Sequence, residues 1–516
     1  MRVAAFLLVL FALSAVPRPS RASSVVVPDD FATIQQAIDS GADTVLIRPG
    51  TYDEHLTVGP VVNLMATDLG DPSEPTVRLL SMAVGNRANY LVGGRPVVRG
   101  VHFAGAVREW VTSEHPHVFR TPSVRFEQCR MDSGLAIDET IGNYAGTIEL
   151  TQCRIYGQAQ ISSENFTVDS CQFSGAGLLV KVDGSGEIRD NLVEDAPDIG
   201  INSLHGGFDA YVHRNLVCRA GEGIVGAYVD SNVVINCRAG GIRSGLPDGQ
   251  FGANASIRNN RVTGCGGIGI DAEGRHITVE GNVVGRCGGH GVRATGGYCQ
   301  LSSNTIYRNG GSGIRVDGGF TVGCAKNISA ANGAFGVEWA ADLTPSLECN
   351  DWFANASGAT SGVLNDSTDL SIDPLFCNMG ADSVGLANDS PLLNAPGCGL
   401  IGALGEGCVD LATGTLTPGR PKEQPEHLGL ALLPPMPNPA RLGARIAYTL
   451  PCEMKVRMTV IDVTGRVVGV LADDSQGAGR HEIVWGGPAS AARAGVYFVR
   501  LEAGGGRFLQ RVLIVP

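Results

Sequence analysis

Seven charged residues recur at one phase of a short repeat: Arg243, Asp271, Glu273, Arg293, Arg315, Asp317 and Glu338. Each stands eleven or thirteen residues after the Asn that opens its repeat unit. Residues two apart on a strand share a face, so the set predicts one outward patch of guanidinium and carboxylate groups. Such a patch suits several chemistries. Arginine pairs bidentately with the carboxylate of an acidic sugar, while clustered carboxylates hold calcium or act as acid and base. Opposite signs on neighbouring rungs can equally do no more than neutralise one another on a solvated sheet. The whole set is the candidate for ligand binding, and Asp271, Glu273, Arg293 and Arg315 are the candidates for catalysis.

The scaffold that must carry them is a repeat. Asn260, Asn282, Asn304 and Asn327 are 22, 22 and 23 residues apart, and Gly269, Gly291, Gly313 and Gly336 each follow nine residues later. A fixed period of this size means that a unit cannot bury its own apolar face and must stack on its neighbours. The Asn position extends through Val101, Cys129, Cys153, Cys171, Asn191, Asn215 and Asn232 to Asn350. Three residues before it every unit is apolar, and two residues after it only Ser329 breaks an apolar column. Parallel strands about 4.8 Å apart would stack these columns into an interior. The Asn is expected at a left-handed bend, bonding the amides above and below, and the Gly at a sharp turn into the next strand.

Put in phase, other motif-like residues become scaffold. Cys237, Cys265 and Cys287 fall five residues after the Asn, where later units carry Asn309 and Asn332, so they read as a buried stack. One column cannot supply a tetrahedral zinc set, and no metal site is assigned. Cys377, Cys398 and Cys408 are the better disulfide candidates. No opposed pair of carboxylates for sugar hydrolysis, Ser-His-Asp set or phosphate loop is identifiable. No cofactor is expected, although a lyase would bring calcium to the carboxylates.

Composition sets the remaining bounds. The net charge of −12 argues against a nucleic-acid partner, which wants a basic face. Seventy-one glycines with only 17% charged residues favour many short strands and tight turns. Met1-Arg2, the apolar run Val3 to Ala15 and the small residues around Ser20-Arg21-Ala22 read as a signal peptide over 1–22, hence an exported protein. No later segment is apolar enough to span a membrane. Asp30 to Ile38 has helical spacing behind an acidic first turn and predicts a short helix covering the open end of the stack. Residues 409–435 read as a linker, and the strands from Met436 to Pro516 as a small sandwich.

Four resemblances add to this. The stretch Ile34-Gln-Gln-Ala37 through Pro49-Gly-Thr-Tyr52 and Glu54-His-Leu resembles the opening of pectin-lyase-like proteins, which implies a right-handed parallel β-helix over 23–408. Carbohydrate-active members place acids, calcium ligands and arginines on the sheet face where the seven residues fall. The run Asp373-Pro-Leu-Phe-Cys377 through Leu400-Ile-Gly-Ala403 looks like the terminal coil of exported β-helix proteins. Gly289-His290-Gly291 matches one polygalacturonase element, but that family's other motifs are missing and His290 sits at a turn phase. Pro437-Asn-Pro, Ile461-Asp-Val-Thr-Gly-Arg466 and Gly495-Val-Tyr-Phe498 resemble type IX secretion sorting domains and the Ig-like flagellar hook-capping domain. This implies an all-β chain, a β-helix followed by an Ig-like sandwich that engages export machinery and attaches at the cell surface. The expected function is binding of polysaccharide or surface glycan, or a structural and adhesive role. The alternatives are a lyase or hydrolase of acidic polysaccharide, and a stalk with no defined ligand.

Overall fold

The computed structural model describes residues 23–407 and 431–515, apart from short segments at 59–61, 71–74, 87–95, 112–122, 138–146, 164, 176, 182–184, 206–207, 246–253, 320, 341–345, 380–381, 442, 451–453, 464–465, 478, 487–494 and 504–505. The predicted signal peptide and most of the predicted linker therefore lie outside the described residues. From 23 onward the chain winds as an all-β right-handed parallel solenoid of about 12 turns. Each turn contributes strands to three sheets. One precedes the Asn, such as Ala255–Arg258, and one follows it, such as Arg261–Thr263. The third follows the Gly, such as Ile314–Gly318.

The strand register reproduces the columns read from the sequence. The residues after the Asn position pair in series from His102 and Arg130 to Ile328 and Asp351. Val229, Ile257, Val279 and Leu301 stack inside, and Ser329 is satisfied by bonds to the Gly336 carbonyl and Asn332 Nδ2. These side chains belong to one continuous apolar core.

Two expectations about the turn are corrected. The left-handed residue is the one before the Asn: Asn259, Gly281, Ser303 and Lys326 have φ of 54°, 67°, 53° and 57°. The Asn itself turns inward. Asn282 Oδ1 accepts the Asn260 amide at 2.9 Å, and its Nδ2 donates back to the Ile257 carbonyl and on to Asn304 Oδ1. The repeat Gly is required by close approach between coils and not by a bend. At Gly291 an added Cβ would lie 2.3 Å from Ile306 Cγ2 and 2.8 Å from Asn309 Nδ2.

The ends also differ in detail from the sequence reading. The N-terminal helix is short, Ile34–Asp39, and buries Ile34, Ala37 and Ile38. Its acidic partner comes from another strand: the Glu54 carboxylate accepts the Ile34 and Gln35 amides at 2.9 Å each. The stretch predicted as a terminal coil is instead a strap. Strands Phe376–Asn378 and Ser383–Leu386 pair antiparallel with each other, outside the solenoid sheet. The strap lies against the outer side of the sheet after the Asn, where Ile328, Leu386, Leu392 and Ile401 share a core. Asp382 anchors it to the Arg286 guanidinium, the Tyr307 hydroxyl and, through its carbonyl, Arg261. A disulfide joins Cys349 to Cys398. Cys349 occupies the left-handed position before Asn350 and was not anticipated, since it is out of phase with the other cysteines of the repeat. Cys377 is disulfide-bonded as well, and Cys408 lies outside the described residues.

The segment after Ala431 forms two antiparallel sheets of three and four strands around one core that includes Tyr448, Met458, Trp485 and Val499.

Candidate functional site

The register stacks Arg243, Asp271, Arg293, Arg315 and Glu338 in one column on the sheet after the Gly. What they do there is bind one another. Arg293 donates from Nε and Nη2 to the two oxygens of Asp271, both at 2.7 Å. Arg315 donates to Asp317 at 2.6 Å and to Glu338 at 2.7 Å, and the second Glu338 oxygen accepts the Ser312 hydroxyl. Arg243 turns away from the column toward Glu222, at 2.7 and 3.0 Å, a partner that sequence phase did not suggest.

These bonds hold the charges in place. Asp271 hydrogen-bonded to Arg293, Glu222 to Arg243 and Asp317 to Arg315 raise the three guanidinium pKa values above the ordinary arginine range, against the opposing effect of burial. Bidentate pairing of this kind uses the fork that would otherwise grip a substrate carboxylate. Of the seven candidates only Glu273 makes no ion pair among the described residues. Its backbone N–H donates to the Ser244 hydroxyl, which donates in turn to the Glu273 carbonyl.

Among the described residues no loop walls the column at its centre. In Ile270–Glu280 and Val292–Ser302 a single strand bends from the sheet after the Gly straight into the sheet before the Asn, with no loop between. His290 is a turn residue: its Nδ1 accepts the Ser312 amide at 3.0 Å, and burial, aided by Arg315, lowers its pKa. A shallow hollow of about 280 Å³ further toward the N-terminus is lined by Gln158, Leu178, Leu179, Asp198 and Asn202 among others, with Asp198 the one ionisable side chain among the described residues. Among the described residues no group of three His, Cys, Asp or Glu is arranged to hold a metal ion.

The sheet before the Asn carries what the sequence reading missed. Tyr211 pairs in register with Tyr228, and His276 with Tyr298, all facing outward. Tyr211 is 43% exposed and Tyr298 50%. The signal was available, because Tyr211 and Tyr228 both stand four residues before their Asn, and His276 and Tyr298 six.

The sequence family described as right-handed β-helix region matches residues 217–351. That match covers the regular core of the solenoid. No curated protein sequence matches the chain. Among solved structures, a double mutant of the periplasmic alginate epimerase AlgG is similar at a TM-score of 0.38 and 12% identity, over 67% of this chain and 84% of that one. Tailspike protein 3 of bacteriophage CBA120 has a TM-score of 0.36 at 10% identity, over 66% and 57%. An α-1,3-glucanase of Streptomyces thermodiastaticus has a TM-score of 0.30 at 11% identity, over 70% and 69%.

Proposed function

We propose that this chain is an exported β-helix protein that binds polysaccharide along its outer faces without cleaving it. The observation that carries the reading is the regularity of those faces: outward polar side chains stand in register on successive rungs, from Arg243 to Glu338 on one sheet and as Tyr211 with Tyr228 and His276 with Tyr298 on another. A repeating surface engages a repeating polymer through many weak contacts, and linked contacts add up to useful affinity. Export agrees with the disulfide between Cys349 and Cys398, a bond that persists in oxidising compartments. The C-terminal sheets would then serve as an Ig-like sorting or adhesive module that meets the export machinery and leaves the rod at the cell surface.

Cleavage is the weaker reading because Arg293 and Asp271 neutralise each other and Arg315 is held by two carboxylates. Glu273 is the acid that a lyase or hydrolase would have to use, with calcium recruited by its neighbours. The two readings separate in one experiment. The purified chain is incubated with acidic and neutral polysaccharides, with and without calcium, while retention on the polymer, unsaturated-product absorbance and new reducing ends are followed. Retention without product is expected. Product formation lost in Glu273→Gln would replace binding with catalysis, and failure to bind any polymer would leave a purely structural stalk.

A further inference from the structure

One outward column of the rod stacks like charges. On the sheet after the Asn, the position one past the Asn phase reads Arg78, His102, Arg130 and Arg154 on four successive rungs, paired in register. Two residues further along the same strands, on the same face, stand Leu80, Ala104, Asp132 and Tyr156. Three guanidiniums and an imidazole thus meet one carboxylate. These strands and the turns after them, 77–83, 101–107, 129–135 and 153–159, lie wholly within the described residues.

Four arginines on the other two sheets show the compensated alternative. Glu127 lies 2.7 Å from Arg125 and 3.5 Å from Arg99, Asp169 2.9 Å from Arg189, and Asp271 2.7 Å from Arg293. In the basic column only the middle is met. Asp132 lies 2.7 Å from His102 Nε2 and accepts Arg130 Nε at 2.7 Å, and the Arg130 guanidinium sits over the Tyr156 ring, 4.8 Å from its centroid. Among the described residues Arg78 and Arg154 make no ion pair and no side-chain hydrogen bond. Arg154 is also the direct register partner of Arg130, and like charges opposite one another weaken a sheet. One unpaired surface arginine is ordinary. Two at the ends of one column, with the centre held rigid by Asp132 and Tyr156, leave a local cost that a bound anion offsets.

Spacing and charge then select the ligand. Arg78 and Arg154 are three rungs apart, about 14 Å along the rod axis. No single small anion reaches both, whereas a polymer with anionic groups repeating along a line does. The guanidinium fork accepts a carboxylate through two parallel hydrogen bonds. The chain as a whole carries −12 and repels densely charged polymers at long range, so a sulfated chain or a nucleic acid is the poorer match. Sparser charge, at most one carboxylate per sugar, avoids most of that repulsion.

We propose that the basic column from Arg78 to Arg154 is the binding face for a linear polysaccharide bearing carboxylates, which lies along the rod axis with its acid groups on those two guanidiniums. The Tyr156 hydroxyl, on a ring 38% exposed, offers a hydrogen bond to a sugar hydroxyl beside Arg154. The site uses none of the seven charged residues of the Arg243–Glu338 set and stands on a different sheet from them.

This rests on the polysaccharide-binding reading, and the test separates the two. Affinity electrophoresis of the full chain is run against polygalacturonate and alginate, against xylan and mixed-linkage β-glucan, and against dextran sulfate and single-stranded DNA, at low and high salt. The expected result is retention by the carboxylated polymers that falls with salt. It should weaken about tenfold or more in Arg78→Ala/Arg154→Ala, with the fold intact by circular dichroism. Arg154→Glu is run beside it and should weaken retention at least as much, so that early melting of the double variant leaves a readable result. Retention unchanged in both variants, or lost instead in Arg293→Ala/Arg315→Ala, overturns the basic column while leaving polysaccharide binding standing. Retention by the neutral polymers alone does the same. Equal or stronger retention by dextran sulfate or DNA overturns the carboxylated ligand. Retention by none of the polysaccharides overturns the polysaccharide reading itself.

Discussion

Arg293 and Asp271 sit 22 residues apart in the chain and one rung apart in the solenoid, joined by two hydrogen bonds of 2.7 Å. The pair is partly solvated, with side chains 36% and 17% exposed. Screening by water limits what it adds to stability. Arg293→Ala should therefore cost only about 0.5–1 kcal/mol in denaturant unfolding. A loss several times larger would mean that the column is a structural spine and not a set of surface pairs.

The Asn ladder should behave differently, because its members are buried. Asn304→Ala removes the acceptor of the Asn282 amide and of Asn282 Nδ2, and the donor to the Val279 carbonyl and Asn327. Unmet buried groups cost about 1–3 kcal/mol each, and partial relaxation should leave a net loss of roughly 2–4 kcal/mol. Chemical denaturation of the variant measures it, and an effect below that of Arg293→Ala would refute the assignment.

Gly291→Ala tests the close approach of coils. The added methyl meets Ile306 and Asn309 in adjoining columns, and overpacking of this kind costs about 1–3 kcal/mol. Gly318→Ala, where a Cβ meets nothing within 4 Å, should be nearly neutral in the same thermal melts. Equal shifts in the two variants would point to general loss of flexibility instead.

Asp351 makes stability depend on pH. It is fully buried, its Oδ1 accepts the Ile372 amide, and its Oδ2 has no partner among the described residues. Burial, with help from Asp373, pushes its pKa from 3.8 to about 7. The folded state holds the proton more tightly than the unfolded chain, so stability falls as pH rises from about 4 to about 7 and levels off above. The full penalty is on the order of 4 kcal/mol. Calorimetry from about pH 5 to about pH 8 should show this decline in the native chain and its loss in Asp351→Asn. A slope that survives the substitution assigns the effect to another group.

The strap should come away as a unit when its anchor is cut. Asp382→Ala removes the carboxylate that pairs with Arg286 and accepts the buried Tyr307 hydroxyl at one stroke. Limited proteolysis is expected to cleave within 373–397 in the variant first, with the solenoid core resistant. Simultaneous digestion of both would show that the strap is not a separate layer.

Much of this was legible in the sequence, and the exceptions have physical causes. The Asn phase located the solenoid's columns because inward positions must be apolar and must stack, which leaves a trace at every rung. Outward positions obey no such rule. Sequence phase placed Arg243, Asp271, Arg293, Arg315 and Glu338 on one column, but a guanidinium can reach up, down or sideways, and Arg243 chose Glu222. Tyr211 and Tyr298 stand four and six residues before their Asn, so phase puts them on a single face, but one or two rings at an outward position leave no column for a repeat to reveal. The strap could not be read at all. Its residues contact rungs far back in the chain, as Asp382 does Arg261, and no periodicity records such a return.

The Asn ladder has a direction. Each amide hands its hydrogen to the oxygen of the next coil, from Asn191 through Asn327 to Asn350, and the last recipient is Asp369. A carboxylate can receive but has nothing to hand on, and the other Asp369 oxygen is taken by the Trp352 indole. A solenoid has no intrinsic reason to stop, since every coil offers its successor the same template. Here the ladder ends on a side chain with no donor of its own, and Asp369→Asn would put a donor back at that end.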